Sequence, residues 1–267
     1  MADVRIVKEC FPSSRKEMSN LNQKIFSADD WGFSPGINEG ILELARRRKL
    51  FSVSSSANSS YLQHGLDELL SYQKDGLRFN IHFNLTYGRP VTQVSTLIDK
   101  TESFYPFLPF LIRGLAGQFS SAEIQAEFRA QIKILRELKI PVTGLDGHHH
   151  IHLLPFVFKS IQSDLKVNGI KSIRIMRDPK HHPSFFQSLW FKTFTFRNKK
   201  NEFEILPCGY VLPEDLLNKD SLKKKIEKFN TVLVHPARFN DFAECGMDDM
   251  LQEHRLFELK RIEDYLE

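Results

Sequence analysis

Short apolar runs that close on polar or titratable residues, each followed by an amphipathic stretch, recur along most of this 267-residue chain. That alternation narrows the fold more than any other feature, because it marks repeated βα units and therefore a largely parallel sheet. The first run, residues 24–28, ends in Asp29-Asp30. Ser34-Pro35 then has the form of a helix N-cap with proline at the first helical position. Ile37, Ile41, Leu44 and Ala45 continue it at helical spacing, and a second strand follows at 51–55. Another strand is expected at 78–83, with His82 near its end. Ser120 and Glu123 have capping-box spacing ahead of Ile124, Phe128, Ile132 and Leu135, a strong amphipathic pattern. Pro141 ends it, and 142–145 runs straight into Asp146-Gly147-His148-His149-His150-Ile151-His152. Beyond lie a helix over about 156–167, a strand at 172–176, a helix at 221–229 and a strand at 231–234 that meets His235. A long charged amphipathic helix over 248–266 closes the chain.

At least six strand-like runs with helical connections favour a single-domain α/β fold, an irregular TIM-like (β/α) barrel, over an open doubly wound sheet. Barrels of this kind routinely reach this length. Asp29, Asp30, His82, His148 and His235 all fall at the C-terminal ends of expected strands, where barrel enzymes gather their sites, although open sheets bind ligands there too. Residues 1–22 are polar and aperiodic and read as an N-terminal extension ahead of a barrel domain over 23–267. The segments 104–115 and 185–203 are aromatic and fit the repeat poorly. Each serves equally well as a wall of a substrate groove or as packing over a core edge or subunit interface. The first of them leaves a homodimer open.

Composition excludes several classes. With 37 basic and 33 acidic residues the net charge of +4 is too mild to argue for nucleic acid. Arg46-Arg47-Arg48 and Lys223-Lys224-Lys225 sit beside apolar residues at helical spacing and read as solvated helix faces. Cys10, Cys208 and Cys245 are widely spaced and form neither a disulfide framework nor a CxxC pair. No stretch approaches the ~18 apolar residues of a membrane span, and no signal-peptide core opens the chain. A cytoplasmic location is the expectation.

Imidazole and carboxylate together form the ligand set of hydrolytic divalent-metal sites. In an extended segment Asp146, His148, His150 and His152 would share one face and His149 would point away. Ligand distances near ~2 Å let only one or two of these reach a metal. A surface histidine tract is the alternative, but this run follows an apolar strand. Two carboxylates at the end of a buried strand are costly without a compensating charge, which a divalent cation would supply. One could ligate while the other acts as base, although an Asx turn or N-cap would explain either one. His82 on its own reads as a core histidine and gains weight only from the other two motifs.

Ala28-Asp29-Asp30-Trp31-Gly32, Ile81-His82-Phe83-Asn84-Leu85-Thr86 and Leu145-Asp146-Gly147-His148-His149-His150-Ile151-His152 resemble, in order and spacing, the signature segments of the YdjC-like carbohydrate deacetylases. Val234-His235-Pro236-Ala237 is similar to a fourth segment of that family. The resemblance implies an irregular barrel related to the NodB-type polysaccharide deacetylases. It also implies removal of acetyl groups from N-acetylated sugars such as chito-oligosaccharides, with a divalent metal. Zinc, magnesium and others fit one carboxylate and two histidines, and the histidines tilt the choice toward zinc or another transition metal. Carried over by motif, Asp30, His82 and His148 would hold the metal and Asp29 would be the base. His235 would protonate the leaving amine, with His152 as its rival. Trp31 departs from the family's usual phenylalanine. Trp31, Tyr87 and Phe83 are candidates for stacking on the sugar. Competing readings are a metal-dependent phosphoesterase or amidohydrolase, or a non-catalytic sugar-binding relic of the fold. An amidohydrolase would carry a HxH pair where this chain has Asp29-Asp30.

Overall fold

A computed structural model of the chain describes residues 24–176, 203–210, 215, 218–229, 231–239, 241 and 250–266. The extension expected at 1–22, nearly all of segment 185–203, Cys10 and Cys245 lie outside these described residues. The described strands are β1 (Phe26–Trp31), β2 (Leu50–Ser55), β3 (Arg78–Phe83), β4 (Val142–Gly147), β5 (Ser172–Met176), β6 (Glu204–Tyr210) and β7 (Val232–Val234). Each pairs in parallel with the next and β7 returns to β1, closing a seven-stranded barrel. The helices are α1 (Pro35–Arg46), α2 (Leu66–Ser71), α3 (Phe107–Leu115), α4 (Ser121–Glu137), α5 (Pro155–Val167), α6 (Lys219–Phe229) and α7 (Met250–Leu266).

The local signals act as their chemistry dictates. Ser34 Oγ accepts from Ile37 N at 3.1 Å with Pro35 opening α1, and Ser120 Oγ accepts from Glu123 N at 3.4 Å ahead of α4. The Glu123 carboxylate turns away from the helix to accept from Thr96 N and Thr96 Oγ1, so the capping box is only half formed. Segment 104–115 contributes helix α3, because Pro109 falls in its first turn, where a missing N–H costs nothing. Leu108, Ile112 and Leu115 form an exposed ridge on it. Arg46 and Arg47 are surface residues paired with Glu39, Glu43 and Glu68, a solvated helix face as expected.

Strand polarity places the core. Phe26, Ala28, Val53, Phe79, Ile81, Phe83, Leu145 and Ile173 join Ile37, Ile41, Leu44, Phe128, Ile132, Leu135, Ile161 and Leu165 in one buried apolar cluster between strands and helices. Each large side chain removed from water there contributes roughly 1.5–3 kcal/mol. Alternate strand residues meet inside the barrel and are polar: Ser27 bonds Ser52, Ser54 and Asn80 bond Asp146, and Arg174 bonds Asp29. Gly144 must lack a side chain, since a Cβ there would collide with Asn80 and press on Ser172. Among the described residues no helix is long and apolar enough to cross a membrane.

Candidate active site

Adjacent residues of a regular strand face opposite sides, yet Asp29 and Asp30 are both 1% exposed and both reach His82. A bulge makes this possible. Ala28 pairs with Val53 and Trp31 with Ser55, so three steps of β1 oppose two of β2. Asp30 sits in the left-handed region at φ 70°. The extra residue re-aims the chain. Asp29 Oδ2 then lies 3.7 Å from His82 Nδ1, and Asp30 Oδ1 lies 3.1 Å from His82 Nε2. The left-handed conformation costs of order 1 kcal/mol or more, strain of the kind that collects at functional sites.

The histidine cluster is not extended, which corrects the expected alternation. Gly147 ends β4 and His148–Leu153 form a 3-10 turn, with His149 and His150 left-handed at φ 51° and 56°. His148 Nδ1 comes within 3.4 Å of Asp30 Oδ1. His149 is exposed, its Nδ1 3.0 Å from Thr86 Oγ1. His150 Nδ1 is buried without a hydrogen bond, and burial with the Arg174 charge holds this imidazole well below its usual range. His152 is 1% exposed and donates from Nε2 to the Arg174 carbonyl at 2.8 Å.

Ligand atoms of Asp30, His82 and His148 lie within 4.8 Å of one another. Asp30 Oδ1 is buried and forms no hydrogen bond although two imidazole nitrogens stand within 3.4 Å of it. Oδ2 accepts from Arg255 Nη2 of α7 at 2.5 Å. An oxygen and two nitrogens facing one another without hydrogen-bond geometry between them are a donor set that suits a divalent cation. The residues present therefore fit such an ion. A second cluster, Asp29, His82 and Asp146, also has ligand spacing. The guanidinium of Arg174 already fills it, bonding Asp29 at 2.6 and 2.5 Å and standing 3.5 Å from Asp146.

Electrostatics favour positive charge at the first cluster. Burial opposes an imidazolium at His82, but Asp29, the bond to Asp146 and nearby Asp30 outweigh it and raise its pKa to about 10. Burial likewise opposes charge on Asp30, yet Arg255, His148 and His82 keep its carboxyl well below the usual range. Burial lowers His148 and leaves it neutral, the state that ligates. His235 follows β7 directly, and its backbone N–H donates to Glu258 at 3.0 Å. Burial and Arg255 lower it to about 4, and it feels the charges of both Asp30 and Asp29. Cys208, pushed up to about 12 by burial, is an inert thiol.

Two stacking candidates are corrected. Trp31 is 0% exposed and donates from its indole to Leu62 O at 3.0 Å, because the bulge turns it out of the barrel toward α1 and α2. Phe83 is 0% exposed and packs on Phe128. Tyr87 does lie at the site, its ring 5.0 Å from Phe33 and 6.0 Å from His148. Asn84 and Asn58 hold its backbone. Sequence reasoning gave no role to Arg174, Arg255 or Glu258, and offered Asp146 only as one of four residues on a face of which one or two could reach a metal. Arg174 had a signal, a lone cation inside the apolar run of β5.

The family described as YdjC-like protein matches residues 24–266. A chitooligosaccharide deacetylase of Yersinia enterocolitica is 36% identical over 140 residues, 52% of this chain and 54% of the relative. A carbohydrate deacetylase of Danio rerio is 31% identical over 160 residues, 58% of this chain and 50% of the relative. A chitooligosaccharide deacetylase of Serratia marcescens is 30% identical over 147 residues, 55% and 56% of the two chains. The aligned part thus spans about half the length of these relatives. A solved structure from Enterococcus faecalis V583, described as a candidate cellobiose-phosphate cleavage protein, superposes with a TM-score of 0.68. It covers 91% of this chain and 94% of its own at 17% identity, a likeness of fold alone.

Proposed function

The chain belongs to the YdjC-like family, and from that premise we propose that it is a metal-dependent hydrolase that removes N-acetyl groups from sugars such as chito-oligosaccharides. The observation that carries this reading is Asp30 Oδ1, buried and without a hydrogen bond between His82 and His148. A divalent cation held by these three residues would supply the Lewis acidity that polarises an acetyl carbonyl and acidifies a water. Zinc suits the two imidazoles best, with magnesium as the alternative.

The chain's own residues divide the remaining work. Asp29, gripped by Arg174 through both oxygens, is fixed in direction and acts as the base that takes the proton of the attacking water. His235 is our candidate for donation to the departing amine. Since burial keeps it neutral, the proton it donates is the one that Asp29 takes from the attacking water, which balances the step. His152 is the weaker rival, because its one N–H is committed to the Arg174 carbonyl. Tyr87, backed by the buried ring of Phe33, offers aromatic surface beside His148 for a pyranose. The ridge Leu108, Ile112 and Leu115 is the apolar face that a homodimer would cover.

The test is acetate release from diacetylchitobiose by metal-stripped protein restored with zinc, magnesium or cobalt. Release that requires the metal is the expected outcome. Phosphate release from a phosphorylated disaccharide without acetate release would replace the reading by a phosphoesterase. Neither product, from folded and metal-loaded protein, would leave a sugar-binding relic.

A further inference from the structure

Asp146 is wholly buried beneath the site, and three other strands converge on it. Its Oδ2 accepts from Ser54 Oγ of β2 at 2.6 Å and from Asn80 Nδ2 of β3 at 2.9 Å, with Arg174 Nη1 of β5 at 3.5 Å. Its Oδ1 lies 2.7 Å from His82 Nδ1. An ionised carboxylate only accepts hydrogen bonds. The proton in this contact therefore belongs to His82 Nδ1. With that proton anchored on Nδ1, Nε2 is the nitrogen whose proton a cation would displace, and it lies 3.1 Å from Asp30 Oδ1. The opposite tautomer would aim an N–H at the place where a cation belongs and would set two acceptors against each other at Asp146.

We propose that Asp146 is a positioning residue that makes His82 a metal ligand. It holds the ring proton on Nδ1 so that Nε2 faces the cation shared with Asp30 and His148. The inference rests on the metal reading above and adds to it the residue that prepares one ligand. Carboxylates placed behind ligating imidazoles fix tautomer and ring direction, and their loss weakens metal binding about 10- to 100-fold. Ser54, Asn80 and Arg174 matter here because they deny the Asp146 carboxylate any other orientation. A purely structural Asp146, serving only to neutralise Arg174, is the rival account.

Zinc affinity measured by chelator competition on the wild type and Asp146→Asn separates the two. The expected result is an affinity weaker by about 10- to 100-fold in the variant. Nitrogen-15 NMR of the zinc-loaded wild type should show His82 bound through Nε2 with its proton on Nδ1, a readout that does not depend on any variant folding. A lower melting temperature for metal-stripped Asp146→Asn with zinc affinity unchanged would overturn the proposal. So would a His82 bound through Nδ1, or a wild type that takes up no divalent ion. No substrate enters either measurement, so a failure of acetate release would overturn the hydrolase reading and leave this one standing.

Discussion

Asp29 and Asp30 are neighbours with opposite partners, and that difference assigns their duties. Asp30 presents an oxygen without a hydrogen bond to two imidazoles, whereas both oxygens of Asp29 are held by Arg174. Asp30→Ala and His148→Ala should therefore lose bound metal. Asp29→Asn should retain it and lose turnover by about 10²- to 10⁴-fold, the usual contribution of a positioned base. Elemental analysis beside acetate release checks both. Normal metal content in the two alanine variants would remove the ligand assignment. The residue types of the site were legible because carboxylates and imidazoles rarely end buried strands without a use. Their geometry was not. Nothing in the sequence announces that the backbone reverses sign at Asp30, and it is this bulge that brings both aspartates inward and sends Trp31 out. Arg255 was hidden for a different reason, since in a charged helix it looks like Lys260 or Arg261 until its burial is known.

Glu127 shows how an element far from the chemistry holds the mouth of the barrel. It is 0% exposed on α4, accepting from Val91 N and Thr92 N at 3.0 Å and from the Thr92 hydroxyl. Gln131, one turn on, bonds both Glu127 and the backbone of Asn84, whose side chain holds Tyr87. Hydrogen bonds to a charged acceptor contribute about 1.5–3 kcal/mol each, and buried donors left bare are costly. Glu127→Ala should thus lower stability by about 3 kcal/mol, read from urea denaturation, and loosen the connection from β3 to α3. A loss below 1 kcal/mol would show that the connection stands without this anchor. The elements themselves were largely readable: strands β1 to β5 and β7 and helices α1, α4, α5, α6 and α7 follow from period, caps and the proline at 141. Strand β6 escaped because Pro207 and Gly209 break its apolar run. Helix α3 was obscured by Pro109, which is harmless only because it falls in the first turn. The expected (β/α) barrel is the fold observed, its strands pairing in chain order; what no local pattern carries is the closing pair, β7 with β1, which lies far apart in sequence.

At the scale of the whole molecule, the last helix returns to seal the end where the strands deliver their polar residues. Its inward face is Arg255, Glu258, Leu259 and Ile262, all at most 5% exposed, with Arg255 on Asp30 and Glu258 on the backbone of His235. An ionisable carboxyl on a buried face ties folding stability to pH. Burial pushes the Glu258 carboxyl up to about 8, opposed by the His235 hydrogen bond and by Arg255, against an ordinary value of 4.5. Between those two values the folded chain holds a proton at Glu258 that the unfolded chain has released. Stability from this group therefore falls as pH rises through that window and levels off above about 8. Glu258→Gln removes the titration while keeping an acceptor for the His235 N–H. The variant should match the wild type near pH 5 and melt a few degrees higher near pH 8, measured on metal-stripped protein so that ligand protonation does not enter. A difference between the two proteins that stays constant from pH 5 to pH 8 would show that Glu258 is ionised throughout, and that the closing helix docks with its charge intact.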